Sequence, residues 1–392
     1  MRYFHVSGFR IVPAAFFLLF LSSAPYAQSQ NLTTVFPQFA NGGGWSSDIF
    51  IRNQGVTAAT VAVSFFNDDG TSFTVDSTLG VGSTFSFSLN AGNTQVIRTN
   101  ASGDLKSGYV AISYPSGAFI AASEIFRFTQ NGAAITEFGV AQQFPFTTFT
   151  FPAELDSSRG VDTALAIANT GAAQGFAVTL IGNDGSIQRV NTVSLPQGGH
   201  SATYLHSVFP GLDGFSGVVQ VSAALPFGLV ALRQDQAVFG TLSVDNGPLL
   251  GPSFLSTTAV AAVIPNYTAA QANAISSPGV VVGSILNGPA FFKFTGKKGD
   301  VVTALVSTAG LSSALDAIVF LVGTDGTTTL GFNDDNGLFV QSGSFVQVQS
   351  DSFLQAVLPS DGTFYVAISD ANQQGRSNNF YQLHFQLVTP AP

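Results

Sequence analysis

The chain has 392 residues, of which 45% are hydrophobic and only 9% charged, with a formal net charge of −9. An average soluble domain carries about 25% charged residues, and the 13 Lys and Arg are scattered, so no basic stripe exists to neutralise a phosphate backbone and the composition argues against nucleic acid as a partner. High apolar content with 38 Phe excludes a disordered chain, and the absence of Cys excludes disulfides and an anchor on an N-terminal Cys.

In chain order, Arg2 and Arg10 precede the apolar residues 11–21, and the small-residue stretch 22–27 follows. This is the layout of a secretory signal peptide, expected to span residues 1–27, with a cut after Ser29 as the alternative to one after Ala27. No later segment offers about 18 or more uninterrupted apolar residues, so no transmembrane helix is expected.

Residues 32–144 read as a first β-sandwich repeat. Short strands are expected at residues 47–52, 58–66, 84–89, 94–98, 108–113, 118–128 and 134–138, a density that favours a sandwich or barrel. Residues 147–244 repeat them. Phe36-Pro is echoed by Phe151-Pro, Asp48 by Asp162, Asn53-Gln-Gly55 by Asn169-Thr-Gly171, Ser107-Gly108 by Ser216-Gly217, and Arg127 by Arg233, at an offset near 110 residues. A period of that length means two copies of one domain, since solenoid repeats run about 20–50 residues. The second copy adds a segment at residues 200–212 that is expected to form one helical turn. Residues 245–278, punctuated by Pro and Gly, read as a linker in which residues 257–264 offer a strand to a neighbour.

A third module is expected at residues 279–388. One hairpin signature links all three modules: an apolar run, an Asp-Gly step, then β-branched or aromatic residues. It occurs at Asp69-Gly70, Asp184-Gly185 and Asp325-Gly326, where Asp-Gly supplies the positive φ of a tight turn. The third module also carries, in order, Lys297-Lys-Gly-Asp300, Leu315-Asp316, Asn333-Asp-Asp335 and Asp361-Gly-Thr-Phe-Tyr-Val366. With these it resembles the bacterial pre-peptidase C-terminal domain. That resemblance implies a small jelly-roll-like sandwich of the kind found at the ends of secreted peptidases and other exported proteins. The tandem repeats before it resemble modules of exported proteins of environmental bacteria. The expected fold is all-β: tandem Ig-like β-sandwiches followed by a jelly-roll-like β-sandwich.

Catalytic motifs are scarce. Beyond residue 27 the histidines are His200, His206 and His384, all read as surface or loop residues, and no Gly-x-Ser-x-Gly or His-Glu-x-x-His occurs. Only three Glu are present, so paired-carboxylate chemistry would have to use Asp. Gly42-Gly-Gly44 lacks the Lys-Ser/Thr and helix of a phosphate loop. It reads as a flexible lead for Trp45, which enters the sandwich or, alternatively, stands out as a sugar-stacking platform. Asp316, Asp334, Asp335 and Asn336 are candidate calcium ligands, because clustered carboxylates and amides in a Gly-containing loop supply several oxygens at once. The competing reading is a turn whose Asp and Asn side chains bond their own backbone.

These readings favour a secreted, non-catalytic protein that binds an extracellular polymer, a cell surface or another secreted protein, with calcium as the one candidate cofactor. The alternatives are an accessory or targeting subunit of a secreted hydrolase and an outer-membrane β-barrel.

Overall fold

The computed structural model describes residues 31–247 and 258–390, apart from residues 102, 237, 287, 309–310, 312, 335–338, 343–344, 349–350 and 373–377. The expected signal peptide lies outside the described residues. The fold is nearly all β, with sheets paired face to face. Among the described residues no helix is long and apolar enough to cross a membrane.

The first sandwich is built from β1 (Asn31–Asn41), β2 (Trp45–Asn53), β3 (Ala59–Asn67), β4 (Val75–Ser77), β5 (Gly80–Gly82), β6 (Thr84–Leu89), β7 (Thr94–Arg98), β8 (Lys106–Pro115), β9 (Ile120–Gln130) and β10 (Ala133–Ala141). One sheet runs β1-β8-β3-β6 and the other β10-β9-β2-β7, while β4 and β5 form a separate ribbon. Alternation along the strands sends Ile49 and Ile51 of β2 and Val61, Val63 and Phe65 of β3 inward, onto Phe36, Phe39, Phe73 and Phe126. Each such side chain contributes roughly 1.5–3 kcal/mol by leaving water. The inner key, with β2 beside β7 and β3 beside β8, is that of an immunoglobulin sandwich. The flanking strands are exchanged relative to that plan, since β1 lies on β8 and β9 on β2.

The second sandwich contains β11 (Phe146–Leu155), β12 (Val161–Ala168), β13 (Gln174–Gly182), β14 (Ile187–Leu195), β15 (His200–Tyr204), the helical turn α1 (Leu205–Val208), β16 (Phe215–Asp235), β17 (Val238–Thr241) and β18 (Asp245–Asn246). Its strand order reproduces the first. The 21-residue β16 pairs with β11 and β13 through its first half and with β12 and β17 through its second, so one strand serves both sheets where β8 and β9 are separate in the first repeat.

Duplicated residues do the same work twice. Asn53 donates to Thr57 O and Leu89 O, and Asn169 donates to Ala172 O and Pro196 O. A Cβ on Gly108 would lie 1.8 Å from Phe66 O, and one on Gly217 would lie 2.2 Å from Ile181 O. Only glycine permits that approach. The pairing registers correct two of the echoes. β2 opposite β9 and β12 opposite β16 make Ala164 the counterpart of Asp48, and Gln234 the counterpart of Arg127. The corner between β8 and β9 is two residues longer than its counterpart within β16, which shifts the offset partway along the repeat.

The third sandwich comprises β19 (Ala259–Ala261), β20 (Asn273–Ala274), β21 (Gly279–Ser284), β22 (Ala290–Gly296), β23 (Val301–Ser307), β24 (Ala317–Val322), β25 (Thr329–Asn333), β26 (Phe339–Ser342), β27 (Phe345–Val348), β28 (Ser352–Val357), β29 (Gly362–Asp370) and β30 (Phe380–Val388). Its two five-stranded sheets run β19-β21-β30-β23-β28 and β20-β22-β29-β24-β25, with β26 and β27 as a hairpin apart. Parts of the stretch read as a linker are built into sheets: β18 pairs with β11 in the second sandwich, while in the third β19 lies parallel to β21 and β20 parallel to β22. At all three hairpin signatures the Asp accepts from the backbone N–H two residues on, at 2.9 Å, and the glycine has positive φ.

The second sandwich lies between the other two. Ala166 and Val230, on the outward face of β12 and β16, join the core of the first sandwich. On the opposite side Ala177 and Val190 pack on Val301, and Gln220 Nε2 donates to Gln355 Oε1 at 3.2 Å in a buried contact.

Candidate binding cleft between the first two sandwiches

Trp45, the only tryptophan, stands at the start of β2 after a turn that no other residue type would tolerate. Gly42, Gly43 and Gly44 have φ of 85°, 61° and 93°. Cβ atoms on Gly42 and Gly44 would lie 2.2 Å from Asp104 O and 2.4 Å from Thr129 O. The Gly-Gly-Gly stretch is therefore a tight, enclosed turn and not a flexible lead. It fixes the indole half-buried, 5.0 Å from the Phe128 ring and 6.2 Å from Phe138. Phe138 stacks on Phe126 at 5.1 Å and meets Phe239 of the second sandwich at 6.1 Å, so the aromatic contacts cross from one repeat to the other.

Between the repeats these rings wall a cleft of about 230 Å³. Trp45, Phe126 and Phe138 line it from the first sandwich, and Tyr204, Leu232 and Phe239 from the second. Its wall on β12 is formed by Ala164 and Ala166, with Leu165 between them belonging to the core of the second sandwich. The first repeat carries Asp48 and Phe50 at the corresponding positions, so the two copies diverge toward small side chains on the face that meets the neighbouring sandwich.

One wall is polar. Gln38 and Ser107 line the cleft, and both hydrogen-bond into a joint between the repeats. His200 Nδ1 meets Asp68 Oδ1 at 2.8 Å, His200 Nε2 meets Gln38 Oε1 at 3.1 Å, and Ser107 Oγ donates to Asp68 Oδ2 at 3.0 Å. The His200 backbone N–H donates to Asp68 O at 2.9 Å. His200 is thus a buried seam residue, and His384, on β30, is also buried. Alternation in the third sandwich accounts for the latter: Leu383 and Phe385 fill the core, while His384 lies on the covered opposite face. Of the three histidines only His206 is exposed, which corrects the surface or loop reading of the other two.

Tyr204 also borders a second depression, an open groove of about 650 Å³. His206 from α1 hydrogen-bonds through Nδ1 to Asp162 Oδ2, and its ring stacks on Tyr204 at 5.5 Å and 21°. Across the groove Asp213 accepts from the Ser157 N–H at 2.9 Å, the Ser157 hydroxyl at 2.6 Å and the Gly214 N–H at 3.0 Å. These bonds, that from the Ser157 hydroxyl foremost, hold the Asp213 carboxyl below its ordinary range.

Of the four calcium candidates, Asp316 and Asp334 lie among the described residues. Asp316 Oδ2 accepts from Asn372 Nδ2 at 3.1 Å, and its backbone carbonyl accepts from Ala371 N–H. Asp334 is exposed, and its backbone carbonyl accepts from Ser352 Oγ at 2.8 Å. Asp335 and Asn336 lie outside the described residues. Among the described residues no group of three or more His, Cys, Asp or Glu is placed to hold a metal ion.

The sequence singles out Trp45, His200 and His206, but not Phe138, Asp68 and Asp162 as their respective partners. Those contacts join residues of different strands and, across the cleft, of different repeats, and a local pattern carries no trace of them. No family model matches this chain, and no curated protein matches it.

Proposed function

We propose that the chain is a secreted, non-catalytic binding protein that holds an extracellular polymer or a cell-surface component at the seam of its first two sandwiches. The observation that carries this reading is the aromatic cleft built from both repeats at once. Ligand sites favour concave, mainly apolar places between domains, with a few polar groups to fix orientation, and Gln38, Ser107 and Tyr204 are such groups here. Divergence of β12 toward alanine supports the same reading, because it makes room beside Trp45 where the first copy keeps large side chains. The signal-peptide-like N-terminus supports export.

Co-sedimentation of the intact protein with cellulose, chitin, peptidoglycan and collagen, each with calcium and with chelator, tests this. Retention by one polymer, lost in Ala164→Phe, which fills the cleft, is the expected result. Equal retention of Ala164→Phe, or no retention by any polymer, would overturn the reading. Loss of retention in chelator would support Asp316, Asp334, Asp335 and Asn336 as calcium ligands.

A further inference from the structure

We infer that the groove bordered by Tyr204 and His206 is a recognition site for a neutral glycan, an inference that rests on the binding-protein reading and names its ligand class. The groove has three features that suit a sugar. The first is a fixed aromatic plate. His206 has 60% of its side chain exposed, yet its ring is held twice, by the hydrogen bond to Asp162 and by stacking on Tyr204. A flat ring already held in place stacks on the C–H face of a pyranose without losing side-chain freedom on binding.

The second feature is a set of oriented oxygens. Asp213 is fixed by three donors on its own side of the groove, and a carboxylate has about four lone-pair sites, so acceptor capacity remains for ligand hydroxyls. Asp162 is held similarly by His206. The third is an apolar floor, where Leu155 and Val161 are nearly fully buried and line the groove beneath the polar rim.

Charge narrows the class. Two carboxylates and no Lys or Arg line the groove, which disfavours uronic or sulfated chains. An ammonium ligand is left with Asp213 alone, because both Asp162 oxygens are engaged, Oδ2 by His206 and Oδ1 by the Thr163 N–H. Tyr204 borders both depressions, so one chain seated in the groove reaches the aromatic cleft beside it.

The test is affinity electrophoresis of the intact protein through gels containing a soluble neutral glucan, alginate or chitosan, with Asp213→Asn, His206→Ala and Ala164→Phe run beside the wild type. The neutral glucan is expected to retard the wild type and alginate not to. His206→Ala and Asp213→Asn should each weaken retardation at least tenfold while leaving the melting temperature of the protein within a few degrees. Retardation by chitosan alone, or equal retardation of wild type, His206→Ala and Asp213→Asn, would overturn the assignment. If the groove variants bind normally and Ala164→Phe does not, the assignment falls while the cleft reading stands. Failure of all three gels to retard the wild type overturns the glycan assignment, and the cleft reading is then decided separately by peptidoglycan and collagen retention.

Discussion

Glu124 offers the sharpest prediction. It lies on β9 with no exposed surface, and neither carboxylate oxygen has a hydrogen bond of normal geometry. Register places it opposite Ile49, where the second repeat has the buried Ala231 opposite Leu165, so the position belongs to the sandwich core. Burial pushes its carboxyl well above the ordinary range, and the Ser47 hydroxyl offsets this only in part. The folded group keeps its proton to higher pH than the unfolded one, which ionises above about pH 4.3. The unfolded state therefore binds fewer protons in this window, and stability falls as pH rises from the unfolded value toward the folded one. The slope is about 1.4 kcal/mol per pH unit for as long as the folded group stays protonated.

Glu124→Gln keeps the shape and removes the titration, and Trp45 reports unfolding of the first sandwich because it is the only tryptophan. Urea titrations of wild type and variant followed by tryptophan emission between pH 4 and 7 should show the stability difference moving in favour of the variant as pH rises, at up to that slope. A difference that does not change with pH, or that moves toward the wild type, would refute the argument.

Other substitutions test the duplicated architecture. Gly108→Ala and Gly217→Ala each place a methyl against a carbonyl oxygen of the next strand and should cost about 3 kcal/mol or more, the upper part of the overpacking range, read from urea midpoints. Asn53→Ala and Asn169→Ala should each cost about 1–3 kcal/mol, because two carbonyls per site lose their donor, and hydrogen exchange should show the loss confined to the affected repeat. Asp68→Ala removes the carboxylate that joins His200 to Ser107. Limited proteolysis is expected to cleave that variant faster than wild type between residues 142 and 147, and equal rates would show that the joint does not hold the repeats together.

What the sequence displayed was local. Asp-Gly steps announced three hairpins, the repeated Asn-x-Gly and Ser-Gly pairs announced a duplication, and the residues after His200 announced a helical turn, because each depends on backbone conformation within a few residues. The echoes of Asp48 and Arg127 slipped out of register for the opposite reason: chemical likeness does not report strand pairing, and the corner between β8 and β9 changes the offset. Pro and Gly around residues 245–278 suggested a linker, but short strands there complete the edges of sheets whose other members lie far away in sequence. The cleft was the least legible feature. Trp45 stood out by rarity, whereas Phe138 and Phe239 are two among 38 Phe, and only the packing of one repeat on the other brings them within 6.1 Å.

The most direct test of the cleft as a binding site is the emission of Trp45 while a soluble fragment of the retained polymer is titrated into the intact protein and into Ala164→Phe. The account predicts a saturable shift in the wild type that is absent from the variant, with both melting at the same temperature. A polymer that binds both proteins equally and leaves the Trp45 emission unchanged would contradict it.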